Sequence, residues 1–129
     1  MIHIRIGGRE WPIRFDMMAI ESVQSRYGGM SDLSAVLHDT HEIAWLLSLI
    51  INEGLKYQAF ETGVPRELTT PEQIGMLLTP ADLASEALAD AVVDALNEGL
   101  GSKKYTAAGL QELGRSMIMT GRIQQMMNR

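Results

Sequence analysis

Five acidic residues recur at every fourth position in the second half of the chain: Asp82, Glu86, Asp90, Asp94 and Glu98. We call this set the acidic ridge, because on a helix the spacing places all five carboxylates along one side. Like charges four residues apart destabilise an isolated helix by about 0.2–0.5 kcal/mol per pair. Paired carboxylates act as catalysts when burial separates their pKa values, and nothing in this pattern buries one acid against another. The ridge is therefore either a solvated face or a surface that faces cations, such as the basic residues near the end of the same or a neighbouring chain.

Two histidines lie close together in the segment His38-Asp39-Thr40-His41-Glu42, at a spacing that two metal ligands on one helix can have. Thr40, however, is a good helix cap, which would place the two histidines on different elements. The zinc-protease pattern also needs a histidine where Trp45 stands. These residues favour an ordinary polar surface, so we predict no metal site.

No arrangement of residues indicates a nucleophile with its base or a phosphate-binding loop. The glycine pairs Gly7-Gly8 and Gly28-Gly29 have the spacing of turns and helix ends. The sequence therefore predicts that the protein is not an enzyme and that it has no cofactor.

The composition limits the classes of partner. The chain has 129 residues, 46% of them hydrophobic, which is enough apolar content for a folded core. It has no cysteine, and its longest apolar run, 43–51, is far too short to span a bilayer. A net charge of −5 argues against a nucleic-acid partner. With no signal-peptide pattern in its first residues, we expect a cytoplasmic protein without a membrane or nucleic-acid partner.

Charge divides the chain into two parts. Residues 61–102 carry eight acids and one base, whereas residues 103–129 carry five bases and one acid. We predict a domain over 1–102, formed by a hairpin and a helical core. The segment 103–129 is basic and rich in methionine, and we expect it to be helical only when it packs on something. The opposite charges also allow copies to associate, so a homo-oligomer is one expectation.

The first fifteen residues predict a β-hairpin. Apolar residues alternate at 2, 4 and 6 and again at 11, 13 and 15, the period of a half-buried strand. Gly7-Gly8 supplies a tight turn that would pair Ile4 with Trp11 and Arg5 with Glu10. An isolated hairpin is marginally stable in water. Its apolar face must therefore rest on helices of this chain or on another chain.

Helix signals follow the hairpin along the chain. Asp16 begins a helix over 17–27 that Gly28-Gly29 ends, Ser31 begins a short helix over 32–38, and Thr40 begins a long apolar helix over 41–60. Thr70-Pro71 and Thr79-Pro80 begin helices over 71–77 and 80–98. A last, weaker helix is predicted within 106–127. The expected fold is mainly α, with the N-terminal β-hairpin packed on a bundle of four to five helices.

Residues 2–100 resemble the tail assembly chaperones of long-tailed (siphovirus-type) bacteriophages. The resemblance lies in the order of its parts: the isoleucine-rich hairpin, Arg14-Phe15-Asp16 before a helix that ends in Tyr27-Gly28-Gly29, and a long apolar helix containing Asn52-Glu53-Gly54. The segment Leu68-Thr69-Thr70-Pro71-Glu72-Gln73-Ile74-Gly75 with Leu77-Leu78 follows, and then an alanine-rich acidic helix. No motif of the family matches 103–129.

The resemblance implies a non-enzymatic assembly factor in the host bacterial cytoplasm. Such a protein binds the tape-measure protein, keeps it soluble and helps to recruit tail-tube subunits. The alternative is a phage structural protein of the neck or tail-completion type, which would remain in the virion.

Two apolar sets are our candidates for partner binding. One lies in and after the hairpin, and the other in the C-terminal segment, where methionine suits irregular apolar partners but also fills gaps in ordinary cores. Their members are Trp11, Ile13, Phe15, Met117, Met119, Ile123 and Met126.

Overall fold

A computed structural model describes residues 1–29 and 39–101 of the chain. Its elements are β1 (Ile2–Ile6), β2 (Arg9–Ile13), α1 (Met17–Tyr27), α2 (Thr40–Thr62), α3 (Pro71–Leu77), α4 (Pro80–Leu83) and α5 (Glu86–Leu100). This confirms the predicted mainly-α fold with an N-terminal two-stranded hairpin. The short helix predicted over 32–38 and the helix predicted within 106–127 lie outside the described residues.

The hairpin has the predicted antiparallel register, with Ile4 opposite Trp11 and Arg5 opposite Glu10. Gly7 and Gly8 form the turn with φ values of 60° and 77°, which residues with side chains rarely adopt. The apolar face is buried against helices of the same chain, mainly α2 and α5. Of the two possibilities that the sequence left open for this face, helices of its own chain or another chain, the structure shows the first.

Helix α2 lies at the centre of the core and packs on β2, α3 and α1. Its buried side chains include Leu46, Leu47, Ile50, Ile51 and Leu55. It begins one residue earlier than predicted, because Asp39, not Thr40, is the N-cap and accepts a hydrogen bond from the amide of His41. It also continues to Thr62, where Gly63 ends it in the left-handed conformation.

The helix predicted over 80–98 is wrong as a single element. The chain forms a single turn, α4, and then starts again at Ser85, which caps α5 by accepting a hydrogen bond from the amide of Leu88. Asp82 is held in the capping box of Thr79, and its carboxylate also accepts a hydrogen bond of 3.3 Å from the amide of Gly7. This link to the hairpin turn fixes α4 separately from α5.

Two helical glycines let helices approach the backbone near the end of the hairpin. A side chain on Gly54 of α2 would begin 2.6 Å from the carbonyl oxygen of Pro12. One on Gly99 of α5 would overlap the carbonyl oxygen of Phe15. Both contacts are closer than packed atoms allow, so glycine is required at both positions. The amide of Arg14 donates to the carbonyl of Ile50 across the same contact with α2.

Within the two described ranges, no helix is long and apolar enough to cross a membrane.

Candidate partner-binding surface

A cleft of about 690 Å³ opens where the end of the hairpin, the start of α1 and the ends of α2 and α5 meet. Its lining includes Ile13 and Phe15 from the end of the hairpin, together with Tyr57 of α2 and Ala95 of α5. The glycine contact at Gly99 brings α5 against the backbone of Phe15 and so sets the shape of the cleft. We call it the methionine cleft, because Met1, Met17 and Met18 also line it.

The methionine side chains of this cleft are largely exposed. Met17 is 74% exposed and Met18 is 61% exposed, both in the first turn of α1. Methionine is flexible and polarizable, so it can adapt to irregular apolar partners. An apolar ligand that covered these side chains would remove them from water at a gain of about 25 cal/mol per Å² of apolar surface.

Carboxylates surround the apolar lining. Glu61 and Glu98 are exposed on the cleft, and within the described residues neither forms an ion pair. Each lies in the last turn of its helix, α2 or α5, and neither last turn contains a basic residue. The C-terminal end of a helix carries a partial negative charge. Two such ends and two unpaired acids therefore favour a cationic partner at this place.

The other charged side chains of the cleft, Arg14 and Asp16, are engaged with one another. Arg14 stacks 3.8 Å from the ring centre of Tyr57 and lies 3.8 Å from the Asp16 carboxylate. Asp16 also caps α1 by accepting a hydrogen bond from the amide of Ala19. The positive end of α1 is thus neutralised by its own cap, and the cleft keeps a net negative lining.

The hairpin residues that the sequence suggested for partner binding are mainly core residues. Ile13 is 1% exposed, Phe15 2% and Trp11 8%. Trp11 lines a second, smaller groove beside Met76 and Leu68, and its indole nitrogen donates to the carbonyl of Ile6. The hairpin therefore does not present these three side chains as an exposed surface. The sequence did not suggest Met17 and Met18 as candidates. Their position directly after the helix cap at Asp16 was nevertheless a usable signal.

The other suggested residues are divided between the two parts of the chain. Met117, Met119, Ile123 and Met126 lie outside the described residues. On the acidic ridge, Asp82 is separated from the rest by the break between α4 and α5. The four other members are all exposed on α5: Glu86, Asp90, Asp94 and Glu98. Glu98 belongs to both the ridge and the methionine cleft.

A second charged cluster joins the end of α1 to the start of α2. Arg26 donates two hydrogen bonds to the Glu42 carboxylate, at 2.8 and 3.1 Å, and the Tyr27 hydroxyl donates a third at 2.7 Å. These bonds hold the pKa of Glu42 below its ordinary value. Burial, followed by the bond to Glu42, raises the pKa of Tyr27 to about 12. Trp45 completes the cluster, with Arg26 over its ring and Tyr27 edge-on at 5.7 Å. Because these polar groups are satisfied by one another, we interpret the cluster as a structural link between α1 and α2.

Glu53 is a buried carboxylate with a different environment. Burial is the main cause that raises its pKa, and the nearby Asp16 raises it further, while Lys56 at 3.2 Å lowers it. Glu53 lies on α2 near Asp16, which lines the methionine cleft, and it adds negative charge there only when ionised.

The threonine-proline segment of the resemblance has a clear structural role. The Asn52 side chain donates to the carbonyl of Thr69 and accepts from its amide, at 2.9 and 2.8 Å. Gln73 accepts hydrogen bonds from the amide of Thr70 and the hydroxyl of Thr69. These bonds fasten the loop before α3 to the central helix. The segment therefore positions α3 on the central helix.

Among residues 1–29 and 39–101, no group of three or more histidine, cysteine, aspartate or glutamate side chains could hold a metal ion. His41 lies in this part of the chain, and His38 does not. Comparisons of the chain with protein-family models, curated proteins and solved structures gave no match.

Proposed function

We propose that this protein is a phage tail assembly chaperone that binds the tape-measure protein, keeps it soluble and helps to recruit tail-tube subunits. The methionine cleft is the observation that carries the proposal. It combines exposed Met17 and Met18 with Glu61 and Glu98, two acids that form no ion pair within the described part of the chain, on a body with an otherwise buried apolar core. The resemblance of residues 2–100 to that family supplies the identity of the partner.

The chemistry of the cleft suits a long helical client. A helix presents apolar residues along one stripe, and such a stripe can lie in a groove of a partner. Lysine or arginine beside the stripe would meet Glu61, Glu98 and the negative ends of α2 and α5. The binding would need no reaction, which agrees with the prediction that the protein is not an enzyme.

Co-expression with the longest helical protein encoded just downstream tests the proposal. We expect the full chain to keep that protein soluble and to co-purify with it. The double variant Met17→Ser with Met18→Ser should reduce the co-purified amount, because it removes the exposed apolar side chains without touching the core. The control is Met76→Ser, which removes a still more exposed methionine from α3, outside the cleft, and should bind as the wild type does.

The same experiment separates the alternative. If the long protein aggregates equally with and without this chain, the chaperone proposal fails. Mass spectrometry of purified particles then decides whether the chain is a structural neck or tail-completion protein. A structural protein stays in the particle, whereas an assembly chaperone does not.

A further inference from the structure

The methionine cleft and the C-terminal part of the same chain have complementary chemistry. The cleft has exposed methionines, and its acids Glu61 and Glu98 form no ion pair with any residue of 1–29 or 39–101. Residues 103–129 carry five basic residues against one acid, together with four methionines: Met117, Met119, Met126 and Met127. We propose that the segment 103–129 docks into the methionine cleft of its own chain when no client is bound. This rests on the proposed function only in that both assign binding to the same cleft.

The point at which the chain leaves α5 supports docking within one molecule. Helix α5 ends at Leu100 with Gly101 as its left-handed cap, and Gly99 lines the cleft. The basic residues Lys103 and Lys104 follow within a few positions. A segment attached at the edge of its own site has an effective concentration in the millimolar range. A weak contact is therefore enough to keep the segment bound.

Charge gives the docking its direction. Glu98 and Glu61 lie at the negative C-terminal ends of α5 and α2, where cations are favoured. Neither helix has a basic residue in its last turn. The basic residues of the segment would supply the missing positive charge. Its methionines would cover Met17 and Met18, which otherwise remain exposed to water. A client with basic and apolar residues would compete for the same contacts.

Methionine oxidation of the isolated full chain by dilute peroxide tests the docking. Met76 is the internal reference, because it is 83% exposed and lies on α3, away from the cleft. At low salt we expect Met17 and Met18 to oxidise more slowly than Met76, by a factor of about three or more. A tethered contact with an effective concentration in the millimolar range can give protection of this size. Equal rates at the three positions would overturn the proposal.

A charge-swap series shows whether the segment causes the protection. Reversing Lys103, Lys104, Arg115 and Arg122 to glutamate should remove the protection of Met17 and Met18. Reversing Glu61 and Glu98 to lysine should do the same, and combining both sets should restore it. The control with the same net charge as the Glu61 and Glu98 variant is Glu72→Lys with Glu86→Lys, two exposed acids away from the cleft, which should leave the protection intact. Protection that persists in the segment variant would contradict the proposal.

Dilution separates docking within one chain from docking between chains. Protection within one chain does not depend on protein concentration, so a loss of protection on dilution would overturn the proposal in favour of an exchange between copies. The assay contains no client. Its outcome is therefore independent of whether the co-expression experiment supports the chaperone function.

Discussion

Gly99 shows how one residue on α5 shapes the candidate site. Its missing side chain lets α5 approach the backbone of Phe15, and this contact lies beside the methionine cleft. Gly54 does the same for α2 and Pro12. On the sequence alone, a glycine within a helix only costs stability. Here the backbones of Phe15 and Pro12 lie so close to these two helices that a side chain at either glycine would not fit.

Gly99→Ala should destabilise the protein by about 2 kcal/mol or more, because the new methyl group would overlap the Phe15 carbonyl and force the helix away. Gly75→Ala is the matched control, since its methyl group would lie 3.9 Å from Ala44, an ordinary contact. It should be neutral or stabilising by up to about 1 kcal/mol. Urea unfolding followed by circular dichroism measures both, and equal midpoints for the two variants would show that α5 does not approach Phe15 in this way.

Glu42 and Glu53 should contribute to stability with opposite dependence on pH. The lowered pKa of Glu42 means that its contribution is present above its ordinary value of 4.5 and is lost as the pH falls through the lowered value. The raised pKa of Glu53 means that its contribution is complete below 4.5 and is lost as the pH rises through the raised value.

Glu42→Gln should therefore cost about 1 kcal/mol at neutral pH, a value reduced by solvent at this partly exposed carboxylate. Its difference from the wild type should shrink as the pH falls below about 4.5. Relative to the wild type, Glu53→Gln should instead become more favourable as the pH rises. Unfolding midpoints from acid to neutral pH test the pair, and parallel curves for the two variants would contradict the assigned environments.

At the scale of elements, the break between α4 and α5 has the clearest consequence. It turns Ser85 from a residue inside a helix into a cap. It also removes Asp82 from the acidic ridge and joins it to the hairpin turn through Gly7. The ridge is therefore shorter than the sequence pattern indicated, and all of it lies on α5.

Ser85→Ala should destabilise the protein by about 1 kcal/mol, since the amide of Leu88 would lose its cap. Ser85→Asp keeps a capping oxygen and should retain most of the stability. Alanine is the best helix former, so one continuous helix would be slightly stabilised by Ser85→Ala. Thermal unfolding of the two variants distinguishes these cases by the sign of the change.

At the scale of the whole molecule, α5 carries four exposed acids, and five basic residues follow it in the chain. The four exposed acids of α5 have no basic partner on their own helix. A surface of this kind attracts cations and is weakened by salt. Association through the ridge and docking in the methionine cleft would use the same excess of charge.

Asp90→Lys with Asp94→Lys should weaken self-association or client binding at low salt, because it reverses the middle of the ridge. The effect should diminish in high salt, because salt screens the charges on the two partners. Sedimentation velocity and co-purification measure it, with Glu67→Lys and Glu72→Lys as a control of equal net charge away from α5. An unchanged complex at low salt would rule out a role for the ridge.

Features that depend on neighbouring residues could be predicted from the sequence. The hairpin register, the cap at Asp16, the stop at Gly28 and the helix starts at Thr70 and Thr79 are all as predicted. Each uses hydrogen bonds or dihedral angles within a few positions of the chain. Residue type and spacing are therefore sufficient to predict them.

Features that join distant residues became visible in the packed fold. It placed Ile13 and Phe15 in the core, required glycine at 54 and 99, linked Asp82 to Gly7 and brought the ends of α2 and α5 to one cleft. Each of these contacts joins positions far apart in the chain, and the packing of the helices sets their distance. A pattern of residue types holds no information about that distance, so the cleft could not be found before the helices were packed.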